Sequence, residues 1–555
     1  MKYVFVTGGV VSGLGKGVVT ASIAKLFQFR KLNVDVIKMD PYLNVDPGTL
    51  NPIEHGEVYV CEDVWEFEPA LGYRFRIAEV DQDFGTYERF LDKNMHPSNN
   101  ITSGQVYLSV ILKERIGEYL GKTIQVIPHI TSEIKKRIRA VAQRSKPDVL
   151  LIEVGGTVGD IEAMPFLEAI RQLRLEEGIG NTALVHVTLI PFLETIGQFK
   201  TKPTQHSVKV LQSSGLQPDI IIGRTKSELT QDVREKIGLF CNVPVEAVIS
   251  DPDLDVIYKL PLHFESQGLG DHLCRILQLD VRCNENALIE WQEIVNLYTS
   301  IRGEVTVLMP GKYTLIHDSY ISINMALDHA GAFNRVKVRR IYLDTELYDK
   351  DSKKFYELLE SADGILLTPG FGSRGVEGMV ETARYALKND KPFLGICFGC
   401  QLLFIAFARE VLRLKEASST EIDPETQHPV VDLLPEQRVE KFLGGTMRIG
   451  SHPVRVLKDT ILYNIYGSEI IHERFRHRYH INPKYVKLAE QNGLKASATD
   501  LGGEVVNAIE VVDKTWIIGV QFHPEFKSRP HKPSPIYYSF VRELVKRKSI
   551  EDSRR

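Results

Sequence analysis

Two groups of residues in this 555-residue chain have the types and spacing to do chemistry. The first follows the apolar run Tyr3 to Thr7 and reads Gly8-Gly9-Val10-Val11-Ser12-Gly13-Leu14-Gly15-Lys16-Gly17, with a helix-like stretch after it. Glycines allow a tight turn whose backbone N–H groups aim at an anion, and a helix N-terminus adds positive potential. Lys16 supplies a mobile cation for phosphate oxygens, so the expected ligand is a phosphate group. The loop is not a strict Walker A sequence. Five residues rather than four separate Gly9 from Gly15, and Gly17 stands where Ser or Thr should follow the lysine. A glycine-rich turn without a ligand is the alternative reading.

Further polar residues fall at expected strand ends, where α/β sheets present ligand groups. Lys38-Met39-Asp40-Pro41 closes one strand, Asp81 and Asp83 precede Gly85, and Glu153 closes another strand before Gly155-Gly156-Thr157-Val158-Gly159-Asp160-Ile161-Glu162. Carboxylates beside a phosphate cradle suit Mg²⁺, a hard ion that takes oxygen ligands; solvated surface acids are the alternative. The run from Lys200 to Ser207, KTKPTQHS, puts two lysines and several hydroxyls in one short segment and suits a second polyphosphate, although such loops commonly just face solvent.

The second group is Gly395-Ile396-Cys397-Phe398-Gly399, between a buried strand and a helix beginning Cys400-Gln401. This is the cysteine form of a nucleophile elbow. The helix N-terminus lowers the thiol pKa and offers N–H groups to an oxyanion. Gln521-Phe522-His523-Pro524-Glu525, at the end of another candidate strand, supplies a base and a carboxylate to orient it, completing a Cys–His–Glu triad. Cys397 and Cys400 also make a C-x-x-C, so a redox or zinc role, or a buried cysteine without chemistry, competes with the elbow. No second C-x-x-C is present.

The elements that must position these groups are short β-branched runs alternating with helix-period stretches. Strands are expected at Tyr3–Thr7, Val34–Met39, Asp148–Glu153, Ala183–Thr188 and Asp219–Gly223, several of them apolar on successive residues, as in parallel sheets buried on both faces. Val19, Ile23 and Leu26 share one helix face after the first glycine loop. The pattern restarts with Val305–Met309, Val336–Leu343, Gly364–Thr368, Phe393–Ile396 and Trp516–Phe522. Two doubly wound parallel-sheet α/β domains are therefore expected, at 1–280 and 303–555, joined across 281–302 by an amphipathic helix, Asn284 to Thr299. The charged tail from Lys546 reads as frayed.

Composition narrows the class. A net charge of −4, 25% charged and 43% hydrophobic residues describe an ordinary globular chain with no overall electrostatic footprint for nucleic acid. No apolar run reaches the roughly 18 residues of a membrane span. The N-terminus reads as a strand and not a signal peptide, and six cysteines are too few for a disulfide framework, so a reduced, cytoplasmic protein is expected.

The stretches VTGGVVSGLGKG, KMDPYLNVDPGT, EHGEVYV, VIPHIT, EVGGTVGDIE, KTKPTQHS, GICFGCQ, STEIDP, GGTMRIG, RHRYHIN and QFHPEF, in this order over nearly the whole chain, resemble the CTP synthase family. The resemblance implies a P-loop synthase domain of the dethiobiotin-synthetase type followed by a class I glutamine amidotransferase domain. The implied reaction is amination of UTP to CTP, driven by ATP, with nitrogen from glutamine and ammonia passed between the sites. By the same resemblance Gly13, Leu14, Gly15, Lys16, Gly17, Lys38 and Asp83 would bind ATP, and Asp83 and Glu153 would bind Mg²⁺. Ser12, Asp160, Ile161, Glu162, Lys200, Thr201, Lys202, Pro203, Thr204, Gln205 and Lys236 would bind UTP or, as feedback inhibitor, CTP. Gly370, Phe398, Gly399, Cys400, Gln401, Glu421 and Arg478 would hold glutamine, with GTP as allosteric activator and a homotetramer as the assembly; whether filaments form is left open.

Three departures from the family pattern stand out: an aromatic-rich insertion at about 64–79, Pro369 where the family has glycine, and Cys400 where methionine is usual. Another P-loop amidotransferase, such as a cobyrinate amidating enzyme, and a non-catalytic filament-forming relative are the competing readings.

Overall fold

The computed structural model describes residues 1–312, 317–435, 437 and 446–554. The chain divides into two compact units, Met1–Pro47 with Trp65–Asn296, and Gly48–Val64 with Leu297–Arg555. Residues 48–64, which the sequence reading assigned to the first domain, thus pack within the second unit. The division also falls inside the linker helix, Glu285–Thr299.

In the first unit seven strands form one sheet in the order Val248–Pro252, Ile220–Thr225, Thr182–Leu189, Lys2–Gly8, Val149–Val154, Val34–Asp40 and Asn100–Thr102. Every neighbouring pair is parallel. Strands such as Val34–Asp40 and Val149–Val154 are buried along their whole length, which is why their apolar runs do not alternate. Tyr3 and Phe5 face a core with helices Ser103–Arg115, Thr131–Ser145 and Met164–Glu177. Helix Lys16–Gln28 buries Val19, Ile23 and Leu26, the expected face, as it packs against three central strands. The connection leaving the central strand Lys2–Gly8 crosses Val149–Val154 to reach Val34–Asp40, while the one leaving Val149–Val154 crosses back over Lys2–Gly8 to Thr182–Leu189, so the chain order runs in opposite directions from this pair of strands. The carboxyl end of the pair is therefore a topological switch point, where open α/β sheets bind ligands.

The second unit carries a nine-stranded sheet. Val336–Asp344, Gly303–Gly311, Gly364–Leu367, Phe393–Ile396 and Ile517–Val520 are parallel. Val506–Val511, Leu494–Thr499, Arg448–Val456 and Ile470–His477 continue it as an antiparallel extension that the sequence reading did not include. Ile365 and Leu367 face one apolar core and Leu366 the other, so this sheet too is covered on both sides.

One local feature was left without a structure by the sequence, and one local expectation needs revision. The aromatic-rich insertion forms a hairpin, Tyr59–Ala70 paired with Tyr73–Val80 and turning at Leu71-Gly72, where Gly72 takes φ 87°. The Phe67 ring lies 4.9 Å from that of Trp65 and 4.8 Å from the Arg137 guanidinium. The C-terminal tail is not frayed from Lys546, since helix Pro535–Arg554 runs through it. Ile536, Tyr537, Phe540, Val541 and Leu544 anchor that helix in a core, and Arg547 donates to the Asp390 carbonyl at 2.6 Å one turn further on. Among the described residues no helix is long and apolar enough to cross a membrane.

Candidate functional site

Neighbouring parallel strands deliver the thiol and the imidazole to one place. Phe393–Ile396 and Ile517–Val520 are in register, Ile396 opposite Val520, and the Cys397 N–H donates to the Val520 carbonyl at 2.7 Å. This pairing closes the sequence gap between Cys397 and His523. Cys397 caps helix Phe398–Glu410 with φ 52° and ψ −101°, a strained backbone for a residue with a Cβ. The strain identifies the elbow. A Cβ at Gly399 would collide with the Leu367 carbonyl, so the helix starts this close to the sheet only with glycine there.

His523 Nδ1 lies 2.8 Å from Glu525 Oε1, and the Phe526 ring stacks on the imidazole at 5.3 Å. Cys397, His523 and Glu525 are 3%, 5% and 2% exposed, so their electrostatics act with little solvent screening. Burial alone would lower the pKa of His523. The Glu525 carboxylate and the Cys397 sulfur outweigh it and raise the imidazole to about 10. The group is therefore an imidazolium at neutral pH, with a proton ready for a leaving amine. Gln521 Nε2 points at Cys397 Sγ from 3.5 Å.

The triad lines a cavity of about 60 Å³ together with Gly370, Pro369 and Phe371. The loop opposite the sulfur is braced from two sides. Lys312 Nζ donates to the Phe371 carbonyl at 2.9 Å, and the Gly372 N–H donates to Glu421 Oε1 at 2.7 Å. Pro369 therefore sits in a loop whose neighbours are held in place by side chains.

The first unit's site is built around cations. Lys16 starts its helix at Gly15, which takes φ 83°, and donates to the Gly156 carbonyl at 2.8 Å. Lys38 Nζ lies 2.7 Å from Glu153 Oε1, bonds Asp83, and stands 3.9 Å from Asp81. Tyr87 donates to the other oxygen of Glu153 at 2.6 Å. Burial pushes Asp40 up to about 6 and Asp81 well above the usual carboxylate range. For Asp83 burial acts the same way, but the Lys38 ammonium outweighs it and holds the group below that range. Gly17 breaks the Walker pattern for a steric reason: a Cβ there would run into the Asp83 carboxylate.

Two family models match the chain. The model described as CTP synthase N-terminus covers residues 2–279, and that described as glutamine amidotransferase class-I covers 315–543. A CTP synthase of Clostridium acetobutylicum is 48% identical over 541 residues, 98% of each chain. One from Pyrococcus furiosus is 51% identical over 542 residues, 98% of this chain and 97% of that one. This chain belongs to the CTP synthase family. It is a glutamine-dependent ligase. Among solved structures, the glutaminase domain of a Trypanosoma brucei CTPS with bound acivicin is 33% identical, covering 44% of this chain and 94% of that one at a TM-score of 0.41.

Of the residues carried over from the CTP synthase pattern, Gly370, Cys397, His523 and Glu525 meet at one cavity. Glu421 reaches the loop beside it, while Phe398 lies under the Lys312 ammonium at 4.5 Å. The side chains of Cys400 and Gln401 turn into the core. Cys400 packs against Gly519, and burial pushes its thiol well up, the opposite of a reactive cysteine. Gln401 donates to the Tyr479 carbonyl at 2.8 Å. Arg478 does not line the cavity, but Arg476, two residues before it on the same stretch, does.

In the first unit Ser12, Gly13 and Gly15 are exposed and Leu14 is buried. Asp160 accepts from the Thr157 N–H at 2.8 Å, beside exposed Ile161 and Glu162. Lys200 and Thr201 lead into helix Lys202–Ser213, whose Pro203 stands in the first turn. Thr204 and Gln205 are buried, Gln205 donating to Thr201 Oγ1 at 3.0 Å. Exposed Lys236 rides on helix Gln231–Cys241, whose Phe240 ring lies 5.7 Å from Lys202 Nζ.

Sequence reasoning missed Glu57, Tyr320 and Arg476 as cavity walls. Glu57 accepts from the Ser322 N–H at 3.1 Å, and Tyr59 donates to the Phe526 carbonyl at 3.0 Å. The segment EHGEVYV thus braces the ring that stacks on His523. Two residues of the GGTMRIG stretch, 444 and 445, lie outside the described residues.

Proposed function

We propose that the second unit releases ammonia from glutamine through Cys397, His523 and Glu525, and that the first unit uses ATP to make the 4-oxygen of UTP a leaving group. One observation carries the reading: a buried, hydrogen-bonded imidazole–carboxylate pair shares a cavity with a cysteine on a strained elbow. Cys397 attacks the amide carbon. The N–H groups of Phe398 and of Gly370 or Phe371 receive the oxyanion. His523 protonates the departing ammonia and then activates water to hydrolyse the thioester.

At the other site the glycine loop from Gly13 to Gly17 holds ATP phosphates, and Lys16 and Lys38 offset charge during phosphoryl transfer, a reaction governed by positioning and electrostatics. Ser12, Asp160 to Glu162, Lys200 to Gln205 and Lys236 take UTP, or CTP as inhibitor. The donor set fits Mg²⁺: Asp83 and Glu153 present carboxylate oxygens that already converge on a cation, the Lys38 ammonium. Magnesium takes one or two protein carboxylates and leaves the rest of its coordination to substrate phosphates and water, which suits this pair. Asp83 and Glu153 would hold it, and when bound it neutralises charge on those phosphates.

Ammonia must travel unprotonated, because NH₄⁺ has no lone pair, so a water-poor passage is part of the proposal. GTP activation and a homotetramer rest on the family pattern, a cytoplasmic location rests on the scarcity of cysteines, and assembly into filaments alongside catalysis stays open. The experiment is to supply UTP, ATP and Mg²⁺ with ammonia or glutamine and follow CTP. Formation from both donors supports the reading. ATP hydrolysis that ignores UTP would favour another P-loop amidotransferase.

A further inference from the structure

His186 is fully buried at the centre of the first unit's sheet, and none of the chemistry above uses it. It occupies strand Thr182–Leu189 directly opposite Thr7, the last residue but one of the strand that enters the glycine loop. Both ring nitrogens are engaged: Nδ1 lies 2.9 Å from Thr7 Oγ1 and Nε2 lies 2.8 Å from Ser207 Oγ. Thr7 donates its own proton to the Val185 carbonyl at 3.4 Å, so its oxygen is left to accept from Nδ1–H. The network therefore assigns Nε2 as the acceptor and makes the Ser207 hydroxyl its donor. Burial drives the imidazole down to about 3, which keeps it in this neutral, one-donor, one-acceptor form at working pH.

Ser207 belongs to helix Lys202–Ser213, which begins in the KTKPTQHS segment. One turn earlier on the same face, Thr204 Oγ1 lies 3.0 Å from Thr188 Oγ1, two residues past His186 on the strand. The helix is thus fastened to the strand by two polar rungs. Its Ser207 rung also abuts the glycine loop, because a Cβ at Gly9 would collide with the Ser207 hydroxyl. The Gly9 N–H donates to the Val187 carbonyl at 3.0 Å, and the Gly8 carbonyl accepts from the Val158 N–H at 2.8 Å. One buried histidine therefore sits where the entry to the glycine loop and the helix after the lysine-threonine segment are both tied to a single strand.

We infer that His186 is a positioning residue that, through Thr7 and Ser207, holds the ATP loop and the UTP segment in one fixed relation so that the two nucleotides meet in line. The inference rests on the nucleotide assignments proposed above. Phosphoryl transfer responds steeply to alignment, and a misplacement of about 1 Å costs on the order of 100-fold in rate while leaving each substrate its own contacts.

The test is ammonia-dependent CTP formation by the full chain carrying Ser207→Ala, which removes one hydroxyl, His186→Gln, or both. Binding of UTP and of ATP is measured separately, and glutamine hydrolysis reports that the second unit is intact. The expected result is a fall in kcat of about tenfold or more in each single variant, with each nucleotide's Kd within about threefold of the unaltered enzyme. The double variant should be little worse than either single one, because both act on one chain of hydrogen bonds. Full kcat in Ser207→Ala overturns the proposal even if the His186 variant fails to fold. So does a loss confined to the binding of one nucleotide, which would make His186 a local prop for one loop. Failure of the unaltered enzyme to make CTP from ammonia would instead sink the substrate assignments, and this inference with them.

Discussion

The two sites differ in how much of their chemistry the protein completes by itself. Around Cys397 the parts are assembled: a strained elbow, an imidazole already hydrogen-bonded to its carboxylate, and an opposing loop braced by Lys312 and Glu421. Around Lys16 the cations are parked on protein groups, Lys16 on the Gly156 carbonyl and Lys38 on Asp83 and Glu153. The contrast follows from mechanism. A protein nucleophile must be activated before substrate arrives, and the low-dielectric cavity that activates it has to be built in advance. In phosphoryl transfer the reacting groups belong to the ligands, so the protein supplies charge and position that the ligands' own phosphates complete.

The sharpest way to break this comparison is Cys397→Ala. Loss of the nucleophile should cut glutamine-dependent CTP formation by about 10⁴-fold or more, since the members of a triad act as a unit. Ammonia-dependent formation should stay within about twofold. An equal fall with both nitrogen donors would show that the assembled site also serves the other reaction, and the division would collapse.

Glu525→Gln asks whether the charge of the carboxylate or merely its hydrogen bond matters. The amide keeps the shape but cannot hold His523 as an imidazolium, so glutaminase kcat should fall by about 10³-fold with substrate binding little changed. A loss confined to KM would contradict the electrostatic role. Lys16→Ala should lower both activities in CTP synthesis by about 10²-fold, as expected on removing one charge-stabilising donor. Free glutaminase turnover without nucleotides should remain. Full ammonia-dependent activity in this variant would take the glycine loop out of phosphoryl transfer.

Much of this architecture was legible in the residues. Strands buried on both faces wrote themselves as continuous apolar runs, and glycines at the elbow marked Cys397. The antiparallel extension was not legible, because its strands carry buried polar groups where alternation should show apolar ones. In Ile470–His477, Glu473, Arg474 and His477 are buried, and Arg474 is entirely enclosed by donating to Tyr59 Oη at 3.0 Å and to the Val60 carbonyl at 2.9 Å. Those partners come from residues 48–64, which pack in the second unit although they precede it by more than 200 positions. Nothing in local composition reports such a long-range partner. For the same reason Glu57 and Arg476 escaped notice as cavity walls, while Arg478, named through the family resemblance, does not line the cavity. The hairpin at 64–79 was hidden differently: its aromatic residues stood out as an insertion, but the Leu71-Gly72 turn that pairs its two halves was not read as one.

The smallest predicted effect sharpens the comparison through two buried histidines with opposite charge. His523, raised to about 10 by Glu525 and Cys397 against the pull of burial, favours the protonated folded state. Its contribution to stability is fully present below the unfolded value of about 6.5 and is lost as pH rises through 10. His186, lowered to about 3 by burial, behaves inversely. Its contribution is fully present above about 6.5 and is lost as pH falls towards 3. Each amounts to a few kcal/mol, on the order of what a shift of this size is worth. Melting followed separately for each unit, for instance by hydrogen exchange, should therefore show the second unit weakening on the alkaline side and the first on the acid side. Glu525→Gln should flatten the alkaline slope and leave the acid one, and His186→Gln should do the reverse. If the two slopes responded together to either change, the units would not be titrating through these residues. The contrast between a histidine charged in the second unit and one kept neutral in the first would then lose its physical basis.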